Sequence, residues 1–249
     1  MITDINRLLK PFIPISLDAM NGQSLMKRVD TKFILNRSNL YKILPILQQY
    51  YQILEIDNKR WMTYRTQYLD THDFEFYNDH HRGKPKRVKI RIRNYTDAGL
   101  FYYEIKKKDG RGNTNKSRVQ ITNMEDWMLP KVQDFTYKMT GKNYVLAKSI
   151  RNQFKRFTLV SVEMKERATI DTNLRFWYNN DNFEFDQLAI IELKQAATNW
   201  SSPLYRCLKK FDIRANSISK YCLGLATLKP DLKSNMFKSK LLKIDKITT

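Results

Sequence analysis

Lysines and arginines alternate with apolar residues in several segments of this 249-residue chain. In 86–95, Lys89, Arg91 and Arg93 fall on one parity and Val88, Ile90 and Ile92 on the other. A strand sends successive side chains to opposite faces, so three cations would line one face and three aliphatics the other. In 100–108, Glu104, Lys106 and Lys108 stand against Phe101, Tyr103 and Ile105. Lys116 and Arg118 stand against Val119 and Ile121, Glu192 and Lys194 alternate with Ile191 and Leu193, and Arg28, Asp30 and Lys32 form a similar row. Any one row is accounted for by a solvated sheet face. Five rows on paired strands repel one another, and the Thr, Ser and Asn that relieve such faces are sparse here.

If the sheet closes on itself, the charged faces converge on a lumen while helices cover the exterior, and the clustered cations require an anion. Arg grips two phosphate oxygens at once and Lys supplies a mobile point charge, a mixture suited to a nucleotide or a polyphosphate. Glu104 and Glu192, set among these cations, have two readings. They hold a hard divalent ion, Mg²⁺ or Mn²⁺, that takes its remaining ligands from phosphate and water, or they form salt bridges with Lys106 and Lys194.

The elements that would position these residues are readable from periodicity. A helix begins with a capping serine at Ser38, carries Leu40, Ile43, Leu44 and Leu47, and is expected to be interrupted by Pro45. Strands are predicted over 26–35, 62–71, 86–95, 100–108, 116–122, 154–163, 166–171 and 188–194, with Gly110-Arg-Gly112 as a hairpin turn. A helical insertion is expected over 124–151, a short helix over 204–211 and an irregular end after it. The resulting class is α+β, an antiparallel β-barrel of about eight strands with helices packed outside. One domain, 1–249, is expected, with its core at 26–224 and a basic C-terminal tail at 229–249.

With 45 Lys and Arg against 25 Asp and Glu, the formal net charge of +20 points to nucleic acid, phosphate polymers, nucleotides or acidic membranes as partners. Cys207 and Cys222 are the only cysteines and lack a redox or metal spacing, which suits a reducing compartment. Asp4, Arg7, Lys10 and Asp18 interrupt the first apolar stretch, and no run has the length of a bilayer span, so a cytoplasmic location is expected. Only 7 glycines are present, and no phosphate-cradling glycine loop. His72, His80 and His81 lack a zinc spacing; His80 is read as touching phosphate or capping a helix. No nucleophile, base and orienter set is discernible. Tyr64, Tyr68, Tyr95, Phe101 and Tyr102 are read as core aromatics.

Taken in order, Arg28-Val-Asp-Thr-Lys32-Phe, Tyr64-Arg-Thr-Gln-Tyr68-Leu-Asp70-Thr71, Lys89-Ile-Arg91-Ile-Arg93-Asn-Tyr95 and Glu104-Ile-Lys106 resemble the catalytic domain of the VTC (vacuolar transporter chaperone) family. That domain is a branch of the triphosphate tunnel metalloenzymes. The resemblance continues through Lys116-Ser-Arg118, Phe154-Lys-Arg156-Phe-Thr158-Leu, Glu166-Arg167-Ala-Thr-Ile-Asp171, Ile191-Glu192-Leu-Lys194 and Ser219-Lys220-Tyr221, covering 26–224.

The resemblance implies a barrel-walled tunnel in which a divalent metal, typically Mn²⁺, assists transfer of the terminal phosphoryl group of ATP to a growing polyphosphate chain. It implies catalytic roles for Lys32, Arg91, Arg93, Lys106, Arg156 and Lys220. Lys116, Arg118, Arg167 and Lys194 would be further phosphate contacts and Glu192 the principal metal ligand; the alternation and the local sequence add Lys89 and His80 as phosphate contacts and Glu104 as a second candidate metal ligand. Phosphoryl transfer of this kind needs positioned charge and no protein nucleophile. The first strand reads Arg28-x-Asp30-x-Lys32 in place of the E-x-E-x-K of the hydrolytic branch, which disfavours a triphosphatase. Expected partners are ATP and polyphosphate, with no specific nucleic acid. The eukaryotic enzymes add a phosphate-sensing domain and membrane spans, so coupling to translocation would require a membrane-protein partner. The residues fix no oligomeric state. The other readings are a tripolyphosphate or nucleoside triphosphate hydrolase of the same fold and a non-catalytic polyphosphate-binding module.

Overall fold

A computed structural model of the chain describes residues 4–21, 29–163 and 166–248. The first part of the chain holds α1 (Ile5–Leu9), β1 (Pro14–Ile15), α2 (Leu17–Asn21), β2 (Val29–Asn36), α3 (Arg37–Leu47), β3 (Tyr51–Leu54), β4 (Met62–Thr71) and α4 (Glu75–His81). The middle holds β5 (Lys86–Tyr95), β6 (Leu100–Asp109), β7 (Thr114–Ile121), α5 (Pro130–Thr140) and β8 (Leu146–Ser161). The last part holds β9 (Glu166–Tyr178), β10 (Asp181–Phe185), β11 (Leu188–Gln195), α6 (Pro203–Lys210), α7 (Lys220–Leu228) and α8 (Asn235–Thr248).

Eight strands pair antiparallel in the order β2-β11-β9-β8-β4-β5-β6-β7. β10 folds back on β9, and β3 pairs with β8 while taking β1 as a parallel neighbour. Among the described residues no ladder joins β2 to β7. Over the described residues the barrel is therefore a curled sheet whose β2–β7 seam is not hydrogen-bonded. The curl brings Lys106 of β6 within electrostatic reach of Lys32 of β2 and Glu192 of β11.

The convex face is apolar at its flanks. Phe33, Leu35, Phe157, Leu159, Ile170, Ile191 and Leu193 pack there against residues of α1, α3 and α6. Leu69, Ile90, Ile92, Tyr103 and Ile105 pack against Phe76 of α4 and Val132 of α5. On the concave face, α7 lies against the apolar portion formed by Ile150, Phe154, Leu174 and Phe176 through Tyr221, Cys222 and Leu225. Gly224 makes that approach possible: a Cβ there would sit 2.5 Å from Ile150 Cδ1 and Phe176 Cδ1.

Four expectations need correction. α3 is continuous through Pro45, because only the last turn follows the proline and Leu40, Ile43, Leu44 and Leu47 anchor the helix in the core. The helical insertion stops at Thr140, where Gly141 takes the left-handed C-cap, and β8 already begins at Leu146. β9 runs to Tyr178, well past the expected end at 171. The end after α6 is not irregular: Ser219 caps α7, and α8 buries Phe237 and Ile244 against the concave-face core. Arg28 and the start of the 26–35 strand lie outside the described residues.

Candidate active site

The ladder register decides which side chains meet, since directly paired residues share a face. Lys32 pairs with Glu192, and Lys194 pairs with both Asp30 and Arg167. Arg156 pairs with Asp171 on one side and Met62 on the other. Tyr68 and Thr66 pair with Arg91 and Arg93. Lys89, Arg91 and Arg93 then pair with Lys106, Glu104 and Tyr102, and Lys106 and Glu104 with Lys116 and Arg118. All twelve sheet residues singled out from the sequence therefore occupy the concave face. Lys220 and His80 join them from α7 and α4.

Three carboxylates organise these cations, each between two of them. Glu104, 2% exposed at its side chain, lies 2.7 Å from Arg91 Nη2 and 2.5 Å from Lys116 Nζ. Burial opposes its ionisation, but Arg91, Arg93 and Lys116 outweigh burial and hold it at about 2. Asp171 accepts from Arg156 Nε at 2.5 Å and Nη2 at 2.8 Å, and from Lys220 Nζ. It too is held at about 2 against burial by Arg156 and Lys220. Glu192 accepts from Lys194 and lies 3.9 Å from Lys32 Nζ, with 24% of its side chain exposed. Burial is again overcome, by Lys194 and Lys32, and its carboxyl stays well below the usual range.

Arg93 is different. It is 6% exposed and its Nε has no hydrogen-bond partner. Burial, then the neighbouring Arg91 and Arg156 guanidiniums, push its pKa down, with Glu104 opposing. It leans on an aromatic platform, Tyr64 stacked on Phe154 with centroids 5.5 Å apart and planes 8° from parallel. Arg93 lies 5.6 Å from the Tyr64 centroid, Arg156 5.1 Å from it, and Lys220 Nζ 4.6 Å from that of Phe154. Cation–π attraction fixes these heads without neutralising them. Arg118 rests similarly on Tyr102 at 4.6 Å.

A cavity of about 410 Å³ opens between the concave face and the helices, with Lys32, Lys89, Lys106, His80, Ser219 and Lys240 in its wall. Lys89 Nζ donates to Ser219 Oγ at 2.9 Å. Burial, with Lys106, Arg87 and Arg91 nearby, lowers Lys89 to about 8 despite Cys222. Burial also lowers Lys220 to about 8, with Arg156 adding to it and Asp171 opposing. His80 is driven down to about 3 by burial and by Lys89 and Arg87, so at neutral pH it offers a hydrogen bond and no charge.

Sequence reasoning gave no site role to four residues that contribute. Asp171 has the parity of Arg167 and Thr169, which was a usable signal. Tyr64 and Phe154 are buried as core aromatics are, yet they carry cations on the site side. Ser219 precedes Lys220 in a helix-start pattern and serves as both cap and lysine acceptor.

A family model described as the VTC domain matches residues 27–229. No curated protein matches the chain. Among solved structures, a Bacillus halodurans protein described as a candidate adenylate cyclase is 13% identical, with a TM-score of 0.52 over 78% of this chain and 94% of its own. A Hippeastrum protein described as a candidate adenylyl cyclase with a dominant triphosphatase activity is also 13% identical, with a TM-score of 0.49 over 82% and 100%. At such identity the Bacillus halodurans likeness is one of fold alone, and it agrees with the curled antiparallel sheet described above. Matched over most of its length, the chain belongs to the VTC domain family.

Proposed function

We propose that the concave face is the active site of an ATP-dependent polyphosphate polymerase, which moves the terminal phosphoryl group of ATP to a growing polyphosphate chain. Arg93 carries this reading. A buried guanidinium with an unpartnered Nε, flanked by two other guanidiniums, is costly until an anion arrives. Phosphate oxygens satisfy both its charge and its donors.

In this reading Arg91, Arg93 and Arg156 bind donor phosphates while Lys32, Lys106 and Lys220 hold the acceptor chain in line. Lys89, Lys116, Arg118, Arg167, Lys194 and His80 extend the wall on both sides. Asp171 and Glu104 keep their cations aimed before substrate enters, so charge developing on the transferring oxygens meets dipoles that need no rearrangement. Water is the competing acceptor, and the apolar packing of α7 at one part of the face limits its access.

Among the described residues no three His, Cys, Asp or Glu side chains cluster as a metal site would. Glu192 nonetheless fits a hard cation, because its carboxylate is partly open beside the phosphate-binding lysines, whereas Glu104 is buried between Arg91 and Lys116. With phosphate oxygens and water completing the shell, Mn²⁺ or Mg²⁺ at Glu192 would supply charge neutralisation at the transferring group. Among the described residues no helix is long and apolar enough to cross a membrane. The two buried free thiols, Cys207 and Cys222, suit a cytoplasmic setting.

The test is ³¹P NMR of products after incubation with ATP and Mn²⁺, with Glu192→Gln as control. Internal-phosphate resonances absent in the variant support the polymerase. Orthophosphate alone would make the protein a hydrolase, and unchanged ATP would leave a binding module.

A further inference from the structure

We infer that the convex strip of β4, β8 and β9 is a second anion-binding surface, which takes a polyphosphate chain outside the tunnel. The identity of the polymer rests on the function proposed above; the surface itself rests on separate residues. Helices α1, α3 and α6 cover one flank of the convex face and α4 and α5 the other. Between them Arg65, Arg151 and Arg175 are exposed and Lys155 is half-buried.

The register aligns these residues. Asn94, Arg65, Gln153, Arg175 and Glu184 form one row across β5, β4, β8, β9 and β10. Beside it, Arg151 pairs with Trp177, and Lys155 with Thr63 and Thr172. A bulge creates the strip: between Thr172 and Arg175 β9 holds one residue more than β8, and Asn173 takes φ 52. The extra residue exchanges the faces of β9, so Asp171 points into the tunnel while Arg175 and Trp177 point outward.

These cations are held in place, unlike ordinary surface lysines. Arg151 lies 4.9 Å and Arg175 5.8 Å from the Trp177 centroid, and Lys155 Nζ is 4.2 Å from that of Trp61. Trp61 Nε1 is itself fixed by Thr172 Oγ1 at 3.1 Å, and Arg65 Nε donates to Gln153 Oε1 at 2.9 Å. Glu184 is engaged by Arg175, and nearby Asp97 by Lys59 and the Thr63 amide. Against four cations, Glu184 is the single carboxylate in the rows, leaving an excess of three positive charges.

The indoles indicate the kind of polyanion. Each already carries a cation over its ring, so they serve the cations as platforms and do not offer the open face that base stacking requires. What faces outward is guanidinium and ammonium donors on strands about 4.8 Å apart, which suits closely spaced phosphates without bases.

The experiment compares the full chain with the variant Arg65→Gln, Arg151→Gln, Lys155→Gln and Arg175→Gln. A control of equal net charge carries Lys42→Gln, Lys131→Gln, Lys138→Gln and Lys209→Gln. Binding of tripolyphosphate, which reports the tunnel, and of long-chain inorganic polyphosphate is measured by calorimetry. The strip variant is expected to bind tripolyphosphate as the wild type does and to lose about tenfold or more in long-chain affinity, with a shallower salt dependence, while the control keeps both. Equal long-chain affinity in strip and control variants overturns the inference. So does an oligouridylate that displaces polyphosphate from the wild type at equal phosphate concentration, which would assign the strip to nucleic acid. Failure of the wild type to bind tripolyphosphate would instead overturn the tunnel reading, with the long-chain comparison still deciding the strip.

Discussion

Lys89 Nζ reaches Ser219 Oγ at 2.9 Å, joining a concave-face cation of β5 to the residue that caps α7. The same hydroxyl accepts from the Cys222 amide, at 3.4 Å. One oxygen therefore seats the helix and aims the lysine, and helix position and phosphate site are coupled through it. Ser219→Ala is expected to cost about 1 kcal/mol, the ordinary effect of losing a cap, and to lower Tm by about 2–4 °C. Ser219→Thr should restore most of it. A thermal melt of the alanine variant superimposable on the wild type would refute the coupling.

Arg93 gives the opposite sign. Because its Nε is unpartnered and burial with Arg91 and Arg156 outweighs the opposing Glu104, Arg93→Met should leave the unliganded protein as stable or more so. Tripolyphosphate affinity should fall by about tenfold or more, the worth of charge-assisted hydrogen bonds of about 1.5–3 kcal/mol. Urea unfolding and calorimetry on one preparation check both halves. A strongly destabilised apo-protein would mean that Arg93 has a structural partner instead.

Asp171 should behave in the reverse way. Asp171→Asn removes a buried carboxylate from between Arg156 and Lys220, leaving two half-buried cations facing each other. A loss of about 3–5 kcal/mol is expected, as when one partner of a buried pair is removed. Added tripolyphosphate should recover part of it, since phosphate supplies the missing charge. Urea midpoints with and without ligand read this out, and a ligand-independent loss would count against the phosphate site.

These contrasts mark what the sequence could and could not disclose. Alternation alone put Lys89, Arg91 and Arg93 on one face, and β4 and β5 span the predicted 62–71 and 86–95, because strict period two with turn residues at both ends leaves little freedom. Parity fails at bulges. Asn173, a residue type that tolerates positive φ, is the one hint in Thr172-Asn173-Leu174 that β9 changes face, too weak to assign Arg175 and Trp177 a side. The helix expected over 124–151 ran too far because the aliphatics of 145–150 fit either period, and only Gly141 marked the break. Likewise the carboxylate clamps depend on strands distant in sequence, since Lys220 reaches Asp171 from 49 residues away.

Close approach at Gly224 offers another handle. A methyl group there meets Ile150 and Phe176 at 2.5 Å, and both belong to the packed floor under α7. Gly224→Ala should therefore cost about 1–3 kcal/mol through overpacking, although alanine is the better helix former. The urea midpoint tests it; a stabilised variant would show that α7 can lift without penalty.

The pH dependence follows from Lys89 and Lys220, each lowered from 10.5 to about 8, chiefly by burial. Their folded values lie below the unfolded one, so between about pH 8 and 10.5 the unfolded chain binds more protons. These two groups then contribute stability that rises with pH across this window, whereas below about 8 both states are protonated and the full cost of burying the charges remains. Phosphate binding has the other sign, because it needs the ammonium form and raises both pKa values. Tripolyphosphate affinity should accordingly fall as pH increases from 7 to 9, while the stability contribution of these lysines moves the other way. The thiols of Cys207 and Cys222 are raised by burial, which moves their titration upward. Lys220→Arg, which stays charged throughout, should flatten the affinity profile. Calorimetry of both proteins at pH 7, 8 and 9 decides the matter, and an unchanged slope in the variant would remove Lys220 from the phosphate site.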